Sequence, residues 1–195
     1  MKALKYKKYS VEEYLQLERT TGMKHEYIDG EVRAMSGGSV EHATISGNIF
    51  FELESRLRAK KQTCRTFNSD VKIYINKLSR YYYSDASVVC GELQISDEEK
   101  NAITNPVLIV EVLSDGTEKK DRTEKFTAYR KMASLQEYVL ISQDKPYIEV
   151  FYRAPNVDLW KIITIEDLSH ELQLQSVNLS IPLTDIYRDV NFDGV

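Results

Sequence analysis

Glu111 lies inside PVLIVEVLSDGT, residues 106–117, a stretch that otherwise reads as a strand for the middle of a sheet. Pro106 opens it, and Val107, Leu108, Ile109, Val110, Val112 and Leu113 are the apolar residues that a strand covered on both faces requires. An ionised, unpaired carboxylate is strongly disfavoured there. It must take up a proton, find a cationic partner or bind a metal. Two more acids stand in strand-like runs, Asp85 in RYYYSDASVVC and Asp70 in NSDVKIYI. Alternation puts Ile109, Glu111 and Leu113 on one face, and groups Tyr83, Asp85 and Ser87 in the same way. If the three strands are neighbours, the three acids converge.

Converging carboxylates repel one another unless a cation lies between them, and hard oxygen donors favour magnesium or manganese. Such an ion polarises a phosphate and acidifies a bound water, which is the chemistry of phosphodiester hydrolysis. A nearby lysine orients the water or offsets developing negative charge. Lys125 is the candidate, about one turn into the next helix and four residues after Asp121. Each residue also has an ordinary reading. Asp70 fits a solvated strand end, Asp85 a wet strand face, Lys125 a surface charge, and Glu111 a buried ion pair with Lys125 or an arginine. His42 fits a polar cap or core position, and the basic run RLRAKKQTCR, residues 56–65, a solvated helix end.

These residues need elements to carry them. SVEEYLQLE pairs Ser10 with Glu13 at the spacing of a capping box, which predicts a helix over about 10–19. KHEYIDGEVRAMSG places Asp29-Gly30 between two short extended runs, the chemistry of a tight hairpin. Ile45, Ile49, Leu53 and Leu57 recur every four residues, predicting a helix from about Ser39 to Lys60. A strand follows from about Thr63 to Ile75, with a bulge or break at Asn68 and Ser69, then RYYYSDASVVC and PVLIVEVL as two more. DRTEKFTAYRKMA opens with Asp121 and Glu124 in the capping relation and reads as a helix with Phe126, Tyr129 and Met132 on one side. EYVLIS, YIEVFYRA and WKIITIE complete the strands. The order describes one α/β domain over residues 1–195, its mixed sheet flanked by helices.

Composition agrees with an ordinary globular chain: 195 residues, 42% hydrophobic and 29% charged. A net charge of -4 excludes a surface that is basic throughout, though not a local basic face. Cys64 and Cys90 form no CxxC pair, which fits a reducing cytosol better than a disulfide framework or a zinc site. MKALKYKKYS has the charge of a secretory leader, but VEEYLQLERT follows where its apolar core would be. No apolar run approaches the roughly 20 residues that cross a bilayer. A soluble, cytoplasmic protein is expected.

The succession HEYIDGEVRAMSGGSVEHATI, NSDVKIYI, YYYSDASVVC, PVLIVEVLSDGTEKKDRTEKFTAYRKM and EYVLIS resembles the Uma-two family of restriction-endonuclease-like nucleases over about residues 9–155. The resemblance implies the PD-(D/E)XK group: a restriction-endonuclease-like α+β fold and a magnesium- or manganese-dependent site of Asp85, Glu111 and a lysine, supported by Asp70. It implies a DNA substrate, and cutting both strands implies a homodimer. The alternative is a nuclease fold without chemistry that binds nucleic acid or protein. Two residues depart from the group pattern. Ser84 stands where a proline is usual, and Leu113 where a lysine is usual, so the lysine's place falls to Lys125. The family's SPST-like turn is altered to Ser114-Asp115-Gly116-Thr117. Glu31, His42, Asp121 and Tyr129 stand at or beside positions that line the family's pocket.

Overall fold

The structure is a computed structural model that describes residues 7–35 and 37–192. The first six residues of the leader-like stretch lie outside the described residues. Helix α1 (Val11–Thr21) begins as its sequence requires. Ser10 Oγ accepts from the Glu13 amide at 3.1 Å, and the Glu13 carboxylate accepts from the Ser10 amide at 2.8 Å. Strands β1 (His25–Ile28) and β2 (Glu31–Ala34) turn through Asp29 and Gly30, at φ 52° and 89°. Two successive positive φ values are what a type I′ hairpin demands and what Asp-Gly supplies at least cost. Helix α2 (Val40–Ala59) buries Ile45, Ile49, Leu53 and Leu57 along one stripe.

The next four strands, β3 (Cys64–Asn68), β4 (Lys72–Ile75), β5 (Arg80–Tyr83) and β6 (Ala86–Cys90), make one long hairpin turning at the 3-10 segment Asn76–Leu78. Its base pairs β3 with β6 and its outer half pairs β4 with β5. Both arms break midway, at residues 69–71 and 84–85. RYYYSDASVVC, expected as one strand, is therefore two. Tyr83 pairs with Lys72, but Ala86 pairs with Asn68 and Val110, so the backbone must turn between two different sets of partners. Asp85 sits at that bend and not in mid-strand, which dissolves its expected grouping with Tyr83 and Ser87.

Beyond the hairpin come β7 (Ala102–Ile103), β8 (Leu108–Leu113), a helical segment α3, then β9 (Glu137–Ser142), β10 (Ile148–Tyr152) and β11 (Lys161–Ile165). A small hairpin, β12 (Glu171–Leu174) and β13 (Leu179–Pro182), leads into the short helix α4 (Leu183–Ile186). Segment α3 is composite: Glu118–Lys120, a π-helical turn Asp121–Lys125, and Phe126–Tyr129. It starts after Thr117, not at Asp121, because the Thr117 and Glu118 amides already bond to Ser114 O and wind the chain into the helix. Asp121 is buried inside the segment and is no N-cap.

The strands form a five-stranded sheet, β2-β1-β5-β4-β7, and a six-stranded sheet, β11-β10-β9-β8-β6-β3. Both are mixed, with β8 and β9 parallel in the larger sheet and β4 and β7 parallel in the smaller. Strand β8 is buried along its whole length. Val110 and Val112 pack with the α2 stripe, while Ile109 and Leu113 join Ala128 and Tyr129 of α3 in a second cluster. Glu111, alternating with Val110 and Val112, therefore belongs to the α3 side of the sheet.

Cys64 and Cys90 face each other directly across β3 and β6 and form a disulfide, which overturns the expectation of free thiols. Strand register, which spacing along the chain does not disclose, brings them together. Among the described residues no helix is long and apolar enough to cross a membrane.

Candidate active site

Lys125 reaches from the π-helical turn of α3 to β8. Its Nζ lies 2.9 Å from Glu111 Oε1, 3.2 Å from Asp121 Oδ1 and 3.5 Å from Glu26 Oε1, and donates to the Tyr83 carbonyl at 3.1 Å. All four of these side chains are nearly excluded from solvent. Burial works against the charge on Lys125, yet Glu111, Asp121 and Glu26 outweigh it and hold the ammonium well above the ordinary lysine range. Burial pushes the Glu111 carboxyl well up, with Lys125 opposing and Asp121 and Asp85 reinforcing the rise. Burial likewise raises Asp121. Asp121 Oδ1 touches Lys125 without a directed hydrogen bond. Tyr129 donates to Glu111 Oε1 at 3.2 Å, fixing that carboxylate from the helix side.

Asp85, at the bend between the two sheets, accepts the Val112 amide at 2.6 Å through Oδ2. The same oxygen lies 3.5 Å from His42 Nε2. Donating a hydrogen bond to Asp85 raises the His42 pKa against the opposing effect of burial. His42 is placed by the start of α2, where Ser39 caps its amide, and its ring packs so closely on Gly38 that a Cβ there would come within 2.8 Å of Nδ1. Asp85 and His42 form the wetter side of the cluster, their side chains 15% and 20% exposed. A hollow of about 930 Å³ runs elsewhere, along α1 past Leu15 and Gln16, and touches none of these residues.

The family described as "Putative restriction endonuclease", Uma2, matches residues 11–184. The chain belongs to the Uma2 family. A protein of Synechocystis sp. (strain ATCC 27184 / PCC 6803 / Kazusa), slr1290, is 37% identical over 187 residues, covering 96% of this chain and 95% of its own. A second protein of that organism, sll1609, is 36% identical over 131 residues, covering 67% of this chain and 73% of its own. The fold is similar to a crystal structure from Anabaena variabilis ATCC 29413 described as "a putative nuclease belonging to DUF820". The TM-score is 0.72 at 18% identity, over 90% of this chain and 96% of that one.

Within this Uma2 chain Leu113 is buried in the α3 cluster, and the only cation at the Glu111 carboxylate among the described residues is Lys125. Ser84 is buried with its hydroxyl unpartnered. Not every residue singled out from the sequence joins the cluster. Asp70 lies in the opposite break of the long hairpin, largely exposed, its carboxylate held by Lys24 at 2.6 Å and by Asn68. Glu31 is exposed on β2 and pairs with Arg33, which also grips Glu124 of α3 at 3.0 Å. Much of the basic run is engaged locally: Arg56 with Glu52 and Asp185, Arg58 with Glu54, and Lys60 with the Asn178 carbonyl.

Glu26 is the residue that sequence reasoning missed. It lies buried in β1, paired with Lys120 and Lys125. The usable signal is the run HEYI, whose four residues are all buried, so that its acid needs a partner as much as Glu111 does.

The charges of this Uma2 cluster do not cancel. Glu26, Glu111 and Asp121 face two ammonium groups, Lys120 and Lys125, and Asp85 faces His42, so with every carboxylate ionised a surplus of two negative charges remains when the imidazole is neutral and of one when it is protonated. No group of three or more His, Cys, Asp or Glu side chains among the described residues is arranged to hold a metal. Magnesium does not need one, since it commonly uses one or two carboxylates and completes its shell with water and phosphate oxygens. Asp85 and Glu111 are carboxylates of that kind, one at the bend between the sheets and one on β8.

Proposed function

We propose that this protein is a metal-dependent endonuclease that hydrolyses phosphodiester bonds of DNA. The observation that carries the reading is Lys125 Nζ, 2.9 Å from Glu111, on the α3 side of a site whose other acid is Asp85. An acid pair with a protonated lysine is the donor set that metal-assisted phosphodiester hydrolysis uses. Asp85 and Glu111 would hold magnesium or manganese, which supplies Lewis-acid polarisation of the phosphate and a more acidic water.

The chain's own residues do the rest. Lys125 stays protonated, so it serves as a fixed positive charge beside the scissile phosphate and not as a base. Glu26 and Asp121 hold it in place from β1 and from its own helix. Tyr129 orients Glu111, and His42, on the wetter side, offers a hydrogen bond to Asp85 or to an incoming phosphate oxygen. Asp70 has no part in this set. Cutting both strands of a duplex calls for two such sites, hence a homodimer.

Purified protein with magnesium or manganese should nick or cut plasmid DNA, and Asp85→Ala should abolish the activity. Equal cutting by wild type and variant rejects the assignment. One observation favours the rival, a nuclease fold that only binds: Lys125 already satisfies much of the acid cluster. Calorimetry separates the two, since a nuclease should take up manganese through Asp85 and Glu111 and a relic should give no heat of binding.

A further inference from the structure

Strand β11 ends one side of the six-stranded sheet, with β10 on its inner side and no strand on its outer side among the described residues. Its outer backbone groups form an unpaired row, a template for another strand. Such edges are usually blunted by lysine, proline or a bulge. Here β11 reads KIITI, pairs with β10 over five consecutive residues without a bulge, and carries its lysine at the first position. Ile162 is 62% exposed and Ile163 48%, so each face of the strand presents a bare isoleucine. Leu159, 71% exposed, extends the patch. β-Branched residues on both faces of a regular edge suit a neighbouring strand better than water.

We propose that β11 pairs antiparallel with β11 of a second copy of this chain, about a two-fold axis passing through Thr164. The inference goes beyond the nuclease reading and does not rest on it. Opposed residues in an antiparallel pair share a sheet face, so an axis normal to the sheet matches residues of the same parity. Centring on Thr164 sets Ile163 against the partner's Ile165 and Lys161 against the partner's Asp167. That register matches apolar with apolar and cation with anion. Asp167 is exposed just beyond the strand, held by Ser169 at the start of the next turn, where its carboxylate is within reach of solvent and of a lysine. Centring on Ile163 would instead set Lys161 against Ile165 and leave Asp167 unmatched. The pairing joins two six-stranded sheets into one continuous sheet with no edge at its centre.

Thr164 is exposed, so replacing it leaves folding alone, and the native cysteines are already locked together. Sedimentation equilibrium should show a dimer for the wild type. Thr164→Cys should form a covalent dimer on mild oxidation, whereas Ile162→Cys, opposite the partner's Glu166, should cross-link at least about tenfold more slowly for want of Cα proximity. Thr164→Lys places two ammonium groups face to face and should leave a monomer with an unchanged melting curve. A monomeric wild type, a dimer that Thr164→Cys fails to trap, or a Thr164→Lys protein that still dimerises overturns the proposal.

Discussion

Lys125 meets Glu111 at 2.9 Å from the far side of the α3–β8 interface, so a helix supplies the cation that Leu113, on the strand itself, does not. Removing it tests the site most directly. Lys125→Met should lower DNA cleavage by about 10²–10³, the range for loss of one preorganised charge-stabilising group. It also leaves two buried carboxylates, Glu111 and Asp121, without a cation, while Glu26 keeps Lys120; this costs up to about 3–5 kcal/mol, less where one of them takes up a proton. Plasmid nicking and urea melts on the same preparation read both effects, and cleavage near wild-type level in the variant would refute the role.

Glu111→Gln separates a metal site from a structural ion pair. In a cluster with surplus negative charge, removing one carboxylate should leave stability without metal unchanged or higher. A purely structural pair would instead lose about 3–5 kcal/mol. The same variant should lose any manganese-induced rise in melting temperature. Thermal melts with and without manganese decide.

His42 should titrate above its ordinary value of 6.5, chiefly through its hydrogen bond to Asp85. Because the folded value is raised, its contribution to stability is complete below about pH 6.5 and is lost as pH rises through the folded pKa. The side chain is partly exposed, so the effect is small and solvent-screened. Proton NMR of the imidazole should show the raised midpoint, and Asp85→Asn should bring it down. A midpoint that Asp85→Asn leaves in place would separate the two residues.

The Cys64–Cys90 disulfide closes a loop with a sequence separation of 26. By loop-closure entropy its loss should cost roughly 3.5 kcal/mol. Urea midpoints for wild type and the double Cys64→Ala, Cys90→Ala variant measure this, and coincident curves would mean the bond adds nothing to folding.

What the sequence made legible was local. The Ser10–Glu13 cap, the Asp29-Gly30 turn and the α2 stripe each depend on residues a few positions apart, and each stands as expected. Partners distant along the chain were harder to foresee. The break at Asp85 arises because the two halves of its run pair with different strands, which alternation within the run cannot reveal. The disulfide depends on the β3–β6 register, and Glu26 draws its importance from lysines on α3. For the cluster, Glu111 and Lys125 were visible as an acid in an apolar strand and a helical i, i+4 partner of Asp121. Asp70 looked equivalent to Asp85, since both stand in strand-like runs. The bend turns Asp85 to the Val112 amide, while Asp70 is drawn to Lys24.

The wide π turn at Asp121–Lys125 makes α3 sensitive to length. Such turns accommodate one residue more than the α-helical winding on either side. Deleting one residue there would let the turn close up to ordinary α-helical winding with Tyr129 still facing β8, whereas a further residue, with no slack left to absorb it, would rotate everything beyond it by about 100° relative to the segment before. Lys125 and Tyr129 would then swing together away from β8, so the phase of the helix, as well as its composition, specifies this centre.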